Sequence, residues 1–399
     1  MATLRLRPAA PTVTRKTEGP GHFFATCPRG LSQALAEELA ALGALACVPG
    51  DAGVHFEGPF ELAYAVNLES RLATRVLWRV ARFDYRNEND IYEGARRVRW
   101  HAHFGVDRTI KVDTNGVKAP VKSLDFITLK VKDAVVDTFR EALARRPSVA
   151  SREPDVRIHV FLDAQWCTLY LDTSGEPLFK RGRREQVGEA PLKKNLAAGL
   201  LRLSGWKPGE PLLDPMCGAG TILVEAAEMA LDLAPGRDRP FGFEKLARFD
   251  AQAWSTLRQA AIARGKAPVP LAIHGSDLYG RMLDQARANL KQMGLDGVVS
   301  LKQANLLELS APAPTGWIVT NPPYGVRIGE KEALAKFYPE LGHLLKQKFT
   351  GWNAYIFSGD PELPKLIRLA ATRRTPLYNG AIECRLYEYR MVEGANRRP

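Results

Sequence analysis

Asn321-Pro322-Pro323-Tyr324 follows the apolar run Trp317-Ile318-Val319 and leads into Gly325. This junction narrows the possible local structures more than any other stretch. Two consecutive prolines fix two φ angles and remove two backbone donors, so neither a helix nor a strand passes through them. The residue before each proline is pushed out of the helical region. The stretch is therefore expected to be a stiff, open turn at the end of a buried strand. Such a turn presents carbonyl oxygens, an amide side chain and an aromatic face. Those groups suit a planar amine, which needs acceptors for its N–H groups and a surface to stack on. A purely structural Pro-rich strand-to-helix turn has the same composition.

Residues 212 to 221 read Leu-Leu-Asp-Pro-Met-Cys-Gly-Ala-Gly-Thr. An apolar strand ends at Asp214, a glycine-containing turn follows, and an amphipathic helix begins at Thr221. Glycines at such a turn let the backbone approach a ligand closely, and ligands of open α/β sheets sit beyond the carboxyl ends of the strands. The spacing Asp-x-x-x-Gly-x-Gly is neither the dinucleotide fingerprint nor a Walker P-loop. A third element, Leu271 to Asp277, is a short strand ending in an acid. Asp277 can bind two ribose hydroxyls there or cap the helix that follows.

Taken in this order, the three elements resemble the class I S-adenosylmethionine-dependent methyltransferases. The resemblance implies that Asp214, Pro215, Met216, Cys217, Gly218, Gly220 and Thr221 wrap the methionine part of the cofactor. It places Asp277 and Leu278 at its ribose. Asn321, Pro322, Pro323 and Tyr324 correspond to the motif of the amino-methyltransferases, which act on exocyclic NH2 groups or glutamine amides. The two motifs start 107 residues apart, which leaves room for the intervening βα units and an insertion over Arg237 to Lys266. The adenine-contacting position falls at Asn305, followed by Leu306. The family usually has an acid there; an amide can still accept but also brings a donor, and a capping role is the competing reading.

Upstream, Phe179-Lys180-Arg181-Gly182-Arg183-Arg184 and the run Ala190-Pro191-Leu192-Lys193-Lys194-Asn195-Leu196-Ala197 resemble the THUMP-domain RNA methyltransferases. Within that group the run is similar to the bacterial large-subunit rRNA guanine-N2 enzymes. The resemblance implies a helix beside the cofactor pocket carrying Pro191 and Asn195. It implies an α/β protein in which a Rossmann-like methyltransferase domain follows an α+β THUMP module with a ferredoxin-like N-terminal unit. The expected divisions are a leader over residues 1–20, the ferredoxin-like unit over 21–66, the THUMP domain over 67–175 and the methyltransferase domain over 176–399. The implied activity is methylation of N2 of a guanine in 23S rRNA, naked or in a pre-ribosomal particle. N6-adenine methylation of RNA or DNA and a non-catalytic RNA-binding assembly factor are the alternatives.

Composition fits such a partner. The chain of 399 residues is too long for one ordinary core and carries a net charge of +12. Residues 71–184 hold 23 Lys and Arg against 15 Asp and Glu, the footprint of a phosphate-rich ligand. Lys118 and Lys122, in a loop after Thr109 to Asp113, with Lys180, Arg181, Arg183 and Arg184 at the junction, are the candidates to contact RNA. Asn115-Gly116 is expected to form a turn. Five scattered cysteines, at 27, 47, 167, 217 and 384, suggest neither disulfides nor zinc and fit a reducing cytoplasm. No apolar run is long enough to span a bilayer. The expectation is a cytoplasmic monomer with no metal and no membrane partner.

Overall fold

Short alternating stretches near the N-terminus build one sheet, and the apolar runs after residue 210 build another. The computed structural model describes residues 20–181, 192–323 and 330–392. The expected leader up to residue 19, together with Arg183, Arg184, Pro191 and Tyr324, lies outside them. The first half runs β1 (Gly21–Thr26), α1 (Ser32–Ala41), β2 (Leu45–Gly50), β3 (Gly53–Gly58), α2 (Leu62–Glu69), β4 (Arg75–Asp84) and α3 (Glu88–Arg96). A single 3-10 turn, Trp100–Ala102, precedes β5 (Ile110–Gly116), α4 (Leu124–Leu143), β6 (Val156–Leu162) and β7 (Trp166–Asp172).

These seven strands form one sheet in the order β2-β3-β1-β4-β7-β6-β5. The two expected N-terminal units therefore share a continuous hydrogen-bonded surface, joined where β4 pairs β1 on one side and β7 on the other. The division expected at residue 66 falls inside α2. Asn115 and Gly116, expected in a turn, instead pair with Phe161 and Leu162 inside the sheet. Lys118, just beyond, adopts φ +54 and carries the chain out of the strand.

The second half runs α5 (Lys194–Ser204), β8 (Leu212–Asp214), α6 (Thr221–Ala230), α7 (Ala251–Arg264), β9 (Ile273–Asp277) and α8 (Gly280–Gln292). Then come β10 (Ser300–Gln303), β11 (Gly316–Thr320), α9 (Glu330–Lys348), β12 (Trp352–Ser358), α10 (Leu363–Leu366), β13 (Arg373–Asn379) and β14 (Ile382–Arg390). The sheet order is β10-β9-β8-β11-β12-β14-β13, with β8 to β12 parallel and β14 and β13 as an antiparallel edge. The chain moves outward from β8 through β9 to β10, then returns to β11 on the other side of β8. The switch point of the sheet lies between β8 and β11.

The stretch between α6 and β9 does not stay with its own domain. Phe241, Phe243 and Trp254 are buried in the core of the N-terminal half. Tyr64 of α2 meets Phe243 at 4.5 Å between ring centroids, and Trp254 at 6.2 Å.

A buried charge network forms a second tie. Glu225 and Glu228 on α6 are fully buried. Arg181 grips Glu225 in a fork, Nε to Oε1 at 3.1 Å and Nη2 to Oε2 at 2.6 Å. Arg71, between α2 and β4, lies 3.4 Å from Glu225 and 3.6 Å from Glu228. Arg237 donates to Glu228 at 2.8 Å. Burial pushes the Glu228 carboxyl up, but Arg71 and Arg237 outweigh it and hold the group below its ordinary value. Arg181, expected to contact RNA, is thus withdrawn from the surface, because two buried carboxylates demand cations. Removing one partner leaves a buried charge uncompensated. Glu225→Ala should cost about 3–5 kcal/mol of stability by urea denaturation. An Arg181→Met/Glu225→Leu double variant should recover most of that deficit.

Candidate active site at the sheet switch point

Asp214 ends β8 and Thr320 ends β11, and a hydrogen bond joins them across the switch point. Thr320 Oγ1 donates to Asp214 Oδ1 at 2.8 Å, with both residues buried. The register, Trp317 beside Leu212 and Ile318 beside Leu213, brings those two strand ends level. Asn321 and Pro322 follow directly, with Pro322 buried and Pro323 exposed. The glycine-rich turn and the Asn-Pro-Pro turn therefore open from the same point.

The turn after β8 is held on all sides. Gly218 N–H donates to Asp277 Oδ2 at 3.0 Å, and Cys217 N–H donates to the Ser276 carbonyl at 2.9 Å. Ser276 Oγ donates to the Pro215 carbonyl at 3.2 Å, and Asn289 Nδ2 to the Ala219 carbonyl at 2.9 Å. Gly218 and Gly220 sit at φ +51 and +79, where side chains are strained. A Cβ on Gly220 would come within 3.0 Å of Ala286 on α8. Thr221 then starts α6, whose first N–H groups lack intrahelical acceptors and face the turn.

Burial pushes the Asp214 carboxyl up to about 7, against the hydrogen bonds from Thr320 and the Met216 N–H, and the nearby Asp277 charge adds to the rise. Thr320 and the Met216 amide are neutral donors, so the site has the character of a seat for a cation. Burial and the same two acids drive the Cys217 thiol upward, which makes it a packing group and no nucleophile. Asp277 Oδ1 also accepts from Tyr279 N–H at 3.0 Å. Leu278 and Tyr279 are 55% and 60% exposed, an apolar rim beside that acid.

Not every expected residue lies at these turns. Asn195 is fully buried, and its Nδ2 donates to Thr74 Oγ1 at 2.9 Å and the Leu72 carbonyl at 3.4 Å. Instead of flanking a cofactor, it fastens α5 to the N-terminal half. Asn305 stands after β10, where Ala304 N–H donates to the Asp277 carbonyl. Its Oδ1 accepts from Leu307 N–H at 3.1 Å, so its acceptor first caps the short turn Leu306–Glu308. Leu306 belongs to the core. Lys118 and Lys122 are exposed, and Lys180 pairs with Glu176 at 2.8 Å. Thr320, Ser276, Asn289 and Tyr279 join the site without having been expected there. Thr320 alone had a signal, as a hydroxyl immediately before the Asn-Pro-Pro turn. Among the described residues no cluster suits a metal ion, and no helix is long and apolar enough to cross a membrane.

Beyond the end of β12 a cleft of about 470 Å³ opens, lined by Asp360, Lys365, Arg374, Glu383 and Arg385 among others.

The chain is similar to known proteins over most of its length. Residues 181–388 match the model of the RMKL-like methyltransferase domain, residues 85–172 the THUMP domain, and residues 22–77 the RlmL ferredoxin-like domain. The chain is 39% identical over 391 residues to the ribosomal RNA large subunit methyltransferase K/L of Aeromonas hydrophila, covering 93% of this chain and 54% of that protein. It thus spans about half the length of that relative. It is also 39% identical over 370 residues to a protein of Synechocystis sp. provisionally named an RNA methyltransferase, covering 92% of this chain and 96% of that one. The protein SMU.472, solved as a complex with SAH and provisionally named a methyltransferase, superposes with a TM-score of 0.85 at 30% identity. That match covers 94% of this chain and 100% of the other.

The raised Asp214 carboxyl sets a pH dependence. A carboxyl whose folded pKa lies above its unfolded value of 3.8 stabilises the fold fully below that lower value. The contribution is lost as pH rises through about 7, because the folded state holds a proton that the unfolded chain has released. Asp214→Asn keeps an acceptor but cannot titrate. The melting temperature of the wild type relative to Asp214→Asn should therefore increase as pH falls from 8 to 5, measured by thermal unfolding without ligand.

Proposed function

Because this chain belongs to the RMKL-like methyltransferase family, with THUMP and RlmL ferredoxin-like domains ahead of its catalytic domain, we propose that it methylates RNA with S-adenosylmethionine. The specific reaction proposed is transfer to N2 of a guanine in large-subunit rRNA. The observation that carries this reading is the Thr320–Asp214 hydrogen bond. It brings the glycine-rich turn and the Asn-Pro-Pro turn to adjoining strand ends.

The residues present fit the cofactor. Asp214, a buried carboxyl bonded to neutral donors, suits the ammonium of the methionine part. The first N–H groups of α6 suit its carboxylate, and Asp277 suits the ribose hydroxyls. When bound, S-adenosylmethionine supplies an already activated methyl on a sulfonium, so the protein's task is positioning. The target amine has a lone pair delocalised into its base. Asn321 Oδ1 and the Pro322 carbonyl accept its two N–H bonds, which draws the nitrogen towards tetrahedral geometry and aims the lone pair at the methyl. Tyr324 stacks on the base. The nitrogen becomes cationic before it releases a proton to water, so no strong general base is required. Positioning of this kind lowers a barrier by roughly 7–11 kcal/mol in favourable cases. A base paired in a helix must first be extruded, at a cost of a few kcal/mol. Contacts between RNA phosphates and basic residues such as Lys118 and Lys122 offset that cost.

The direct test is transfer of labelled methyl to rRNA from cells lacking the protein, followed by nucleoside analysis. Label in N2-methylguanosine is expected. Label in N6-methyladenosine would overturn the base assignment, and absence of label from RNA would overturn the substrate class. Asn321→Ala should lower turnover at least about a hundredfold while leaving the cofactor dissociation constant, read by calorimetry, within about threefold. A parallel weakening of both would remove Asn321 from the amine-binding role.

A further inference from the structure

The stretch between α6 and β9 does more than fill the N-terminal core. Ala247 N–H donates to the His103 carbonyl at 2.8 Å, Tyr64 OH to the Arg248 carbonyl at 3.4 Å, and Asp250 N–H to Tyr64 OH at 2.9 Å. These bonds clamp Arg248 on both sides. Its guanidinium stands 5.2 Å from the Trp78 ring on β4. There it borders a cleft of about 490 Å³ between β4 and the end of α3, lined also by Val80, Phe83, Arg97, Arg99 and His103.

The lining of this cleft is one-sided. It contains three arginines and a histidine and no carboxylate. Arg97, Arg99 and Arg248 are all exposed. Arg96, one residue earlier, is satisfied by Glu141, whereas Arg97 and Arg99 enter no ion pair among the described residues. Burial, with the charges of Arg248 and Arg99, holds His103 down at about 4, so the imidazole is neutral in a positive field. Val80, Phe83 and Val98 give the cleft an apolar floor. A Cβ on Gly94 would meet the Phe83 ring at 2.2 Å, so the absence of a side chain there lets α3 close down on β4. Planar guanidinia around an apolar floor suit a phosphate with its sugar and base attached.

We propose that this cleft seats one nucleotide of the substrate RNA, with its phosphate on Arg97, Arg99 and Arg248 and its nucleoside against Val80 and Phe83. The assignment rests on the RNA-methyltransferase reading and adds to it a binding site assembled from both halves. Arg97 and Arg99 come from the N-terminal half and Arg248 from the catalytic half, so the site exists only while the halves are docked.

The test uses the full chain with rRNA. Arg97→Glu/Arg99→Glu, Arg248→Glu and a control reversal of the exposed, outlying Arg146 are compared by filter binding across salt concentrations and by methylation kinetics. The cleft variants should weaken RNA binding at least tenfold. They should also reduce the log–log salt slope by about one for each phosphate no longer neutralised, and raise KM for RNA with kcat and cofactor affinity unchanged. Arg97→Lys/Arg99→Lys, which keeps the charge, should recover part of the binding and shows that failure to fold is not the cause. Cleft variants indistinguishable from the Arg146 control would overturn the assignment while leaving the methyltransferase reading intact. A wild-type protein that neither binds nor methylates RNA would overturn both.

Discussion

The hydrogen bond from Thr320 Oγ1 to Asp214 Oδ1 is the constraint on which the site depends. It is made possible by the strand order, which returns the chain to the flank of β8 after two outward steps. It forces two turns of opposite character to share an origin. One is rich in glycine and held by bonds from β9 and α8; the other is made rigid by proline rings. The same bond keeps a carboxyl inside the sheet, where burial raises its proton affinity and prepares it for a cation. Moving either strand by one residue would separate the turns by a full residue spacing and point Thr320 to the opposite face.

Much of the catalytic half was legible because its signals are local. Leu212 to Gly220 and Ile273 to Asp277 each combine an apolar run, an acid and a turn within ten residues, and both elements stand where expected. The first sheet was harder to read. β4 reads Arg-Val-Leu-Trp-Arg-Val-Ala-Arg-Phe-Asp, and a register shift between Arg79 and Ala81 breaks its two-residue period. Yet β4 is the strand that unites two units expected to be separate. Arg181 and Asn195 depart from expectation for a related reason. A basic junction suggests an RNA contact for the one and the family resemblance a cofactor contact for the other, but burial by distant elements decides both, and no short window of sequence encodes such partners.

Two different forces hold the halves together. Around Glu225 and Glu228 the tie is ionic, with three arginines from three segments converging on two carboxylates in a dry interior. Charges buried there contribute little net stability once desolvation is counted, but an unpaired carboxylate in that interior is costly, so the arginines must reach it. Around Tyr64, Phe243 and Trp254 the tie is apolar and aromatic, which supplies bulk attraction with less angular preference. The two ties thus draw on different physics, one ionic and one apolar. The helix that carries both glutamates, α6, is also the helix that starts at the glycine-rich turn, so the docking angle and the cofactor-type turn are mechanically continuous.

The excursion of the catalytic half into the N-terminal core has a consequence for how such a molecule can change over time. A boundary drawn along the sequence near residue 176 is not a boundary in space, because Phe241, Phe243 and Trp254 complete a core most of whose other members lie before it. Neither half is a portable cassette. Recombination at the apparent linker would deliver an N-terminal half with a hole in its core and a catalytic half with an exposed aromatic arm. A substitution that reshapes either half at this shared core therefore has to be matched by the other.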